Sequence, residues 1–111
     1  MLQDNPIMEE ALDALGNPER RRMLRLLGDG PKSVGELAAA FTISRPAVSR
    51  HLAQLERAGF VSHRGAGNRN LYTLDTHGFE VTRRWLDSFW DDAEARLRLL
   101  AESLPEDGAG G

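Results

Sequence analysis

The sequence predicts one mainly α-helical domain that carries a small β-hairpin. Three observations predict it. Apolar residues recur at three- and four-residue spacing along most of the 111 residues. Proline, glycine and capping residues cut that pattern into five helical segments. Only between Phe60 and Leu74 does it give way to short β-rich runs around a stretch of Gly and Asn. A chain of this length fits a single core.

The elements follow in order. Ile7, Met8, Ala11, Leu12 and Leu15 mark a first helix, and Gly16-Asn17-Pro18 ends it and begins a second, with Asn17 as cap and Pro18 in the first turn. Met23, Leu24, Leu26 and Leu27 form the apolar side of that second helix, which Gly28-Asp29-Gly30-Pro31 closes. Ser33 and Glu36 have capping-box spacing and open a short helix through Leu37, Ala38 and Phe41. After the brief turn Thr42-Ile43-Ser44, a helix capped by Ser44 runs to Ala58, where Gly59 suits a left-handed cap. Phe60 to Arg64 and Leu71 to Leu74 read as strands flanking a basic tip, Gly65 to Asn70. The helical period returns near Thr76 and lasts to Leu104, and a tail over 105–111 is expected to be disordered. Residues 17–74 thus form a core, and 76–104 a long terminal helix.

The net charge of −3 conceals a segregation. Residues 1–16 carry four acids and no Lys or Arg, residues 17–74 carry ten basic groups against four acids, and residues 75–111 carry nine acids against four arginines. A basic middle between acidic ends gives one surface a field that attracts phosphate. With no cysteine, disulfides, thiolate metal sites and cysteine nucleophiles are excluded. No apolar run is long enough for a membrane span, and the acidic start is unlike a secretion signal, so a cytoplasmic protein is expected. The polar residues follow helix faces and turns instead of converging on a pocket, so no enzyme and no cofactor are expected.

On the helix from Ser44 to Ala58, Val48, Leu52 and Leu55 share one narrow face that must be buried. The rest presents Pro46, Ala47, Ser49, Arg50, Gln54 and Arg57, a set rich in donors. Arg pairs with guanine O6/N7, Gln with adenine N6/N7, and Ala touches a thymine methyl, so this face can read base edges. Ser44, Arg45 and Ser49 suit phosphate contacts, which set register. Arg64, Asn68 and Arg69 place further donors on the hairpin, suited to the backbone or minor groove. Helix, turn, capped helix and hairpin in this order make a winged helix-turn-helix.

The stretch Leu15-Gly16-Asn17-Pro18-Glu19-Arg20-Arg21-Arg22-Met23-Leu24-Arg25-Leu26-Leu27 resembles the L-x-[DN]-P-x-R-x-x-[IM]-L-x-L-L opening of ArsR-type repressors. Residues 44–61 resemble that family's recognition helix, S-x-x-x-[VL]-S-x-H-L-x-x-L-x-x-A-G-[LF]-V, and the wing ending in Tyr72-Thr73-Leu74 fits as well. The resemblance implies homodimerisation through the terminal helices and repression at a near-palindromic operator in double-stranded DNA. A dimer is also expected from the residues themselves. Phe79, Leu86, Ala93 and Leu100 repeat every seven residues, interleaved with Trp90, Leu97 and Leu104, in a coiled-coil-like seam that Arg83 interrupts. Ile7, Met8, Leu12, Leu86, Phe89, Trp90, Ala93, Leu97 and Leu100 are the expected dimer interface.

The metal sensors of such repressors are not expected here. Alanines fill the third-helix segment Glu36-Leu37-Ala38-Ala39-Ala40 where relatives carry thiolates. Asp75 and His77 match only the first half of a terminal-helix zinc pattern, with Ser88 and Asp91 in the second half. His51, at the edge of the buried face, reads as a structural histidine or phosphate donor, and His63 lies in a wing strand. Two competing functions share the scaffold: a winged-helix protein-interaction module without DNA binding, and a small-molecule-responsive regulator with Trp85, Phe89 and Trp90 around an apolar site.

Overall fold

The computed structural model describes residues 5–104, in the order α1 (Pro6–Leu15), α2 (Pro18–Leu27), β1 (Lys32–Ser33), α3 (Val34–Ala38), α4 (Arg45–Arg57), β2 (Val61–Ala66), β3 (Arg69–Leu74) and α5 (Thr76–Ser103). The tail over 105–111 lies outside the described residues. Side chains cap the starts of the first four helices, at Asn17, Ser33 and Ser44 where the sequence places caps and also at Asn5. Asn5 accepts from the Met8 amide at 2.8 Å and Asn17 from the Arg20 amide at 3.0 Å, each followed by a proline in the first turn. The Ser33–Glu36 capping box closes in both directions, at 2.8 and 3.1 Å, and Ser44 accepts from Ala47 at 3.2 Å.

Three expectations about boundaries are corrected. The third helix ends at Ala38 and turns through Ala39 and Ala40, so Phe41 packs on the core from outside it, with the Arg22 guanidinium 4.7 Å from its ring centroid. The hairpin tip is also shorter than Gly65 to Asn70. Strand pairing runs on through Gly65↔Asn70 to Ala66↔Arg69, leaving Gly67-Asn68 as a two-residue turn with Gly67 at φ +67°. Glycine and asparagine hide a β period because they are turn formers by composition, while cross-strand hydrogen bonds need only their backbone. Finally, Lys32 and Ser33 form a strand paired antiparallel with Tyr72 and Leu71, making a three-stranded sheet of order β1-β3-β2. Two residues are too few to show alternation in sequence.

The core is built from one face of each core helix and the base of the hairpin. Met23, Leu37, Val48, Leu52, Leu55, Phe60 and Val61 are its largest fully buried side chains, each worth about 1.5–3 kcal/mol in burial. Val48, Leu52 and Leu55 all face inward, which leaves the other sides of α4 to solvent. The C-terminus of α4 is joined to the start of α5 by two glycines. Gly59, at φ +83°, accepts from the Gly78 amide at 2.7 Å. A Cβ on Gly78 would lie 2.8 Å from both the Ala58 carbonyl oxygen and the Phe60 ring, so only glycine allows that approach. Phe79 then meets Phe60 edge-on at 4.9 Å.

α5 leaves the body after this junction. Gly78 is buried and Val81, Thr82 and Trp85 are half-buried, while from Leu86 onward every described residue except Ala93 is exposed. A helix of 28 residues spans about 42 Å, and the radius of gyration, 20.1 Å, far exceeds the roughly 13 Å of a compact domain of 100 residues.

Candidate nucleic-acid interface

The structure places the expected recognition residues on the open side of α4 and on the hairpin. Ser44, Arg45, Pro46, Ser49 and Arg50 are exposed, as are Arg64, Asn68 and Arg69, while Ala47 and Gln54 are half-buried at the flanks. The arginines differ in their freedom. Arg45 lies over Gly35, with guanidinium atoms 3.7–3.8 Å from where a Cβ would be, so α3 lies against the head group itself. Among the described residues no carboxylate comes within ion-pair distance of Arg45, Arg50 or Arg64. These three keep their charge available for phosphate or a base edge. Arg69 instead reaches the capping-box carboxylate of Glu36 at 3.9 Å, and Arg57 reaches Glu10 on α1 at 3.8 Å. The Ser33 amide and hydroxyl, and then Arg69, hold the Glu36 carboxyl below its ordinary pKa, so it stays charged. Both ion pairs are exposed and individually weak.

Two connections the sequence did not announce orient α4. The Arg20 side chain donates to the last-turn carbonyls of α1, Ala14 at 2.7 Å and Asp13 at 2.9 Å, and its Nη1 approaches His51 Nδ1 at 3.2 Å. Guanidinium has no acceptor, so Nδ1 accepts and the ring proton belongs on Nε2. Arg20 therefore spans the end of α1 and the middle of α4, and His51 is a structural histidine in this respect. On α4's other flank, His63 Nδ1 meets both carboxylate oxygens of Glu56, at 2.9 and 2.8 Å. Capping and packing signals come from local spacing, but both links join residues at separate helices or strands and have no local signature.

Burial, and next the Arg20 charge, lower the pKa of His51 below 6.5. The folded state therefore prefers the neutral ring, and protons bind more readily to the unfolded chain. Stability from this site is complete above about pH 6.5 and is lost as pH falls through the lower folded value. Urea unfolding of the wild type should show its midpoint falling between about pH 7.5 and pH 5.5, with a smaller fall in His51→Gln. Equal slopes in the two proteins would show that His51 carries none of the effect.

The dimer-seam residues are placed unequally. Ile7, Leu86, Phe89, Trp90, Leu97 and Leu100 are exposed, Leu12 and Ala93 are half-buried, and Met8 is only 3% exposed. Met8 is thus a core residue of its own subunit, because the helical spacing that groups it with Ile7 also turns it towards the body. Phe79 packs on Phe60, and Arg83, which breaks the seam, lies 3.9 Å from Asp87 one turn on. Trp85 and Phe89 stack at 5.7 Å between centroids, a packing contact along one helix. Asp75, read as half of a zinc pattern, is the N-cap of α5 and accepts from the His77 amide at 3.0 Å. Among the described residues, no three His, Asp or Glu side chains converge to hold a metal ion, and no helix is long and apolar enough to cross a membrane.

Comparison with known proteins agrees with this geometry. Residues 17–63 match the family described as "Bacterial regulatory protein, arsR family". The chain is 41% identical over 99 residues to the HTH-type transcriptional regulator Rv2034 of Mycobacterium tuberculosis, covering 89% of this chain and 92% of that one. It is 33% identical over 82 residues to the transcriptional repressor SdpR of Bacillus subtilis, covering 74% and 91%. Among solved structures, an ArsR-like transcriptional regulator from Rhodococcus sp. RHA1 superposes with a TM-score of 0.73 at 27% identity, covering 89% of this chain and 94% of that chain. The fold is a winged helix-turn-helix. The chain belongs to the ArsR family of bacterial regulatory proteins and is a DNA-binding transcriptional regulator.

Proposed function

We propose that the protein is a cytoplasmic homodimeric repressor that holds a near-palindromic operator between two recognition helices and two wings, without catalysis and without a cofactor. In this reading each α4 enters a major groove, and the two grooves are about 34–36 Å apart on one side of the duplex. Arg50 and Gln54 read base edges, Ala47 and Pro46 make apolar contacts, and Ser44, Arg45 and Ser49 fix the register on phosphates. Arg64, Asn68 and Arg69 extend along the wing. The observation that carries the reading is that Arg45, Arg50 and Arg64 are exposed, without a carboxylate partner among the described residues, on the α4 and hairpin surface. A second observation supports the dimer: Leu86, Trp90, Leu97 and Leu100 stay 50–59% exposed on the stretch of α5 from Leu86 onward, where every described residue except Ala93 is exposed. Repression rests on likeness to a protein named as a transcriptional repressor.

Arg50→Ala tests the interface. Operator binding should weaken by about 1–3 kcal/mol and base preference at one position should relax, measured by fluorescence anisotropy on a selected duplex and on random duplex at fixed salt. An equal loss on both duplexes would instead make Arg50 a phosphate contact. No change on either would remove α4 from the interface.

A further inference from the structure

Glu56 is the one acid in α4, on the helix read as facing DNA phosphates. A carboxylate there repels the ligand unless it has another task. Its two oxygens lie 2.9 and 2.8 Å from His63 Nδ1 on β2, so the ring N–H donates to the carboxylate. The His63 ring in turn lies against Tyr72, its cross-strand partner on β3, with centroids 5.2 Å apart and planes at 35°. Burial first, and then the Glu56 charge, raise the Tyr72 pKa, which agrees with the three side chains forming one cluster.

Beyond its root, the outer strand β2 has little else to hold it to α4. Its root is fixed by buried Val61 and by the Phe60 amide donating to Leu55 O at 2.9 Å, but His63, Arg64 and Gly65 are all exposed. The other ties to the body all come from β3: its pairing with Lys32 and Ser33 of β1, Tyr72 against the core, and Arg69 to Glu36 at 3.9 Å. A hairpin left free must be ordered on each binding event, and a preformed one avoids that cost.

We propose that Glu56 and His63 are positioning residues that latch the wing to the recognition helix, so that helix and wing meet one duplex in a set geometry. The proposal rests on the wing and α4 sharing that duplex. Three substitutions separate it from simple charge repulsion, with affinity measured on the tightest-binding duplex recovered by random-sequence selection with the wild type. Glu56→Ala removes the bond, Glu56→Asp keeps the charge but shortens the reach, and Glu56→Gln keeps an acceptor and loses the charge. The latch predicts affinity about two- to fivefold weaker for Ala and Asp, as expected for one exposed pair, with Gln equal to the wild type or tighter. His63→Phe, which keeps a ring against Tyr72, should weaken binding similarly and make Glu56→Ala without further effect. Equal tightening by Ala and Gln, or three variants binding like the wild type, would overturn the latch. Arg50→Ala run alongside distinguishes the cases: if it also has no effect, the shared interface itself is wrong, and if it alone weakens binding, only the latch fails. Melting temperatures confirm that all variants are folded.

Discussion

Leu97→Asp is expected to convert the protein from dimer to monomer and to lower operator affinity by about a hundredfold or more. The side chain is 59% exposed in the single subunit, so an aspartate there meets water and should leave the fold within about 0.5 kcal/mol. In the proposed dimer the same charge would be pressed against apolar groups of the partner, an uncompensated burial that costs several kcal/mol. Operator affinity follows because two tethered reading heads gain an effective concentration that single subunits lack, commonly worth about 10²–10⁴. Trp90→Ala, which removes a large contact without adding a charge, should shift the equilibrium in the same direction. Light scattering combined with circular dichroism checks the pair of claims. A variant that stays dimeric with an unchanged helix signal would contradict the seam.

The largest effect on folding should come from Phe60→Ala. Phe60 is fully buried, meets Phe79 edge-on at 4.9 Å and lies against the glycine junction between α4 and α5. Losing it costs burial and opens a cavity, together about 3–5 kcal/mol, a large share of the roughly 5–15 kcal/mol that holds a domain folded. The Phe60 side chain also packs the hairpin root against the α4–α5 junction, and the variant keeps only the backbone bond from residue 60 to Leu55 O. A surviving folded fraction should therefore bind DNA with a less defined wing. Denaturant unfolding gives the number, and a loss below about 1 kcal/mol would mean that the core closes around the gap.

Much of the fold was legible because its signals are local. Asn17-Pro18, Ser33 with Glu36, and Ser44 each place a side-chain acceptor within one turn of the amides it satisfies. The buried face Val48, Leu52, Leu55 follows from helical geometry alone, and it leaves Arg50 facing outward. Errors arose where evidence is non-local or too short. β1 has two residues, and the strands across Gly65 and Asn70 are made of turn formers. The seam pattern grouped Met8 with Ile7, although only one of two adjacent helical residues can face the same way.

Composition, capping residues and periodicity by themselves determined five helices, the hairpin, the inward face of α4 and a basic middle between acidic ends. The structural elements among these depend on residues close to one another in the chain, where backbone geometry leaves few choices, and the charge segregation is a sum that needs no geometry. Tertiary structure alone decided that Gly78 is needed at the α4–α5 junction and that Arg20 bridges α1 to His51. It alone decided that Glu56 meets His63 on the wing. These contacts join segments brought close by burial of the shared core, and residue order carries no distance across such a gap.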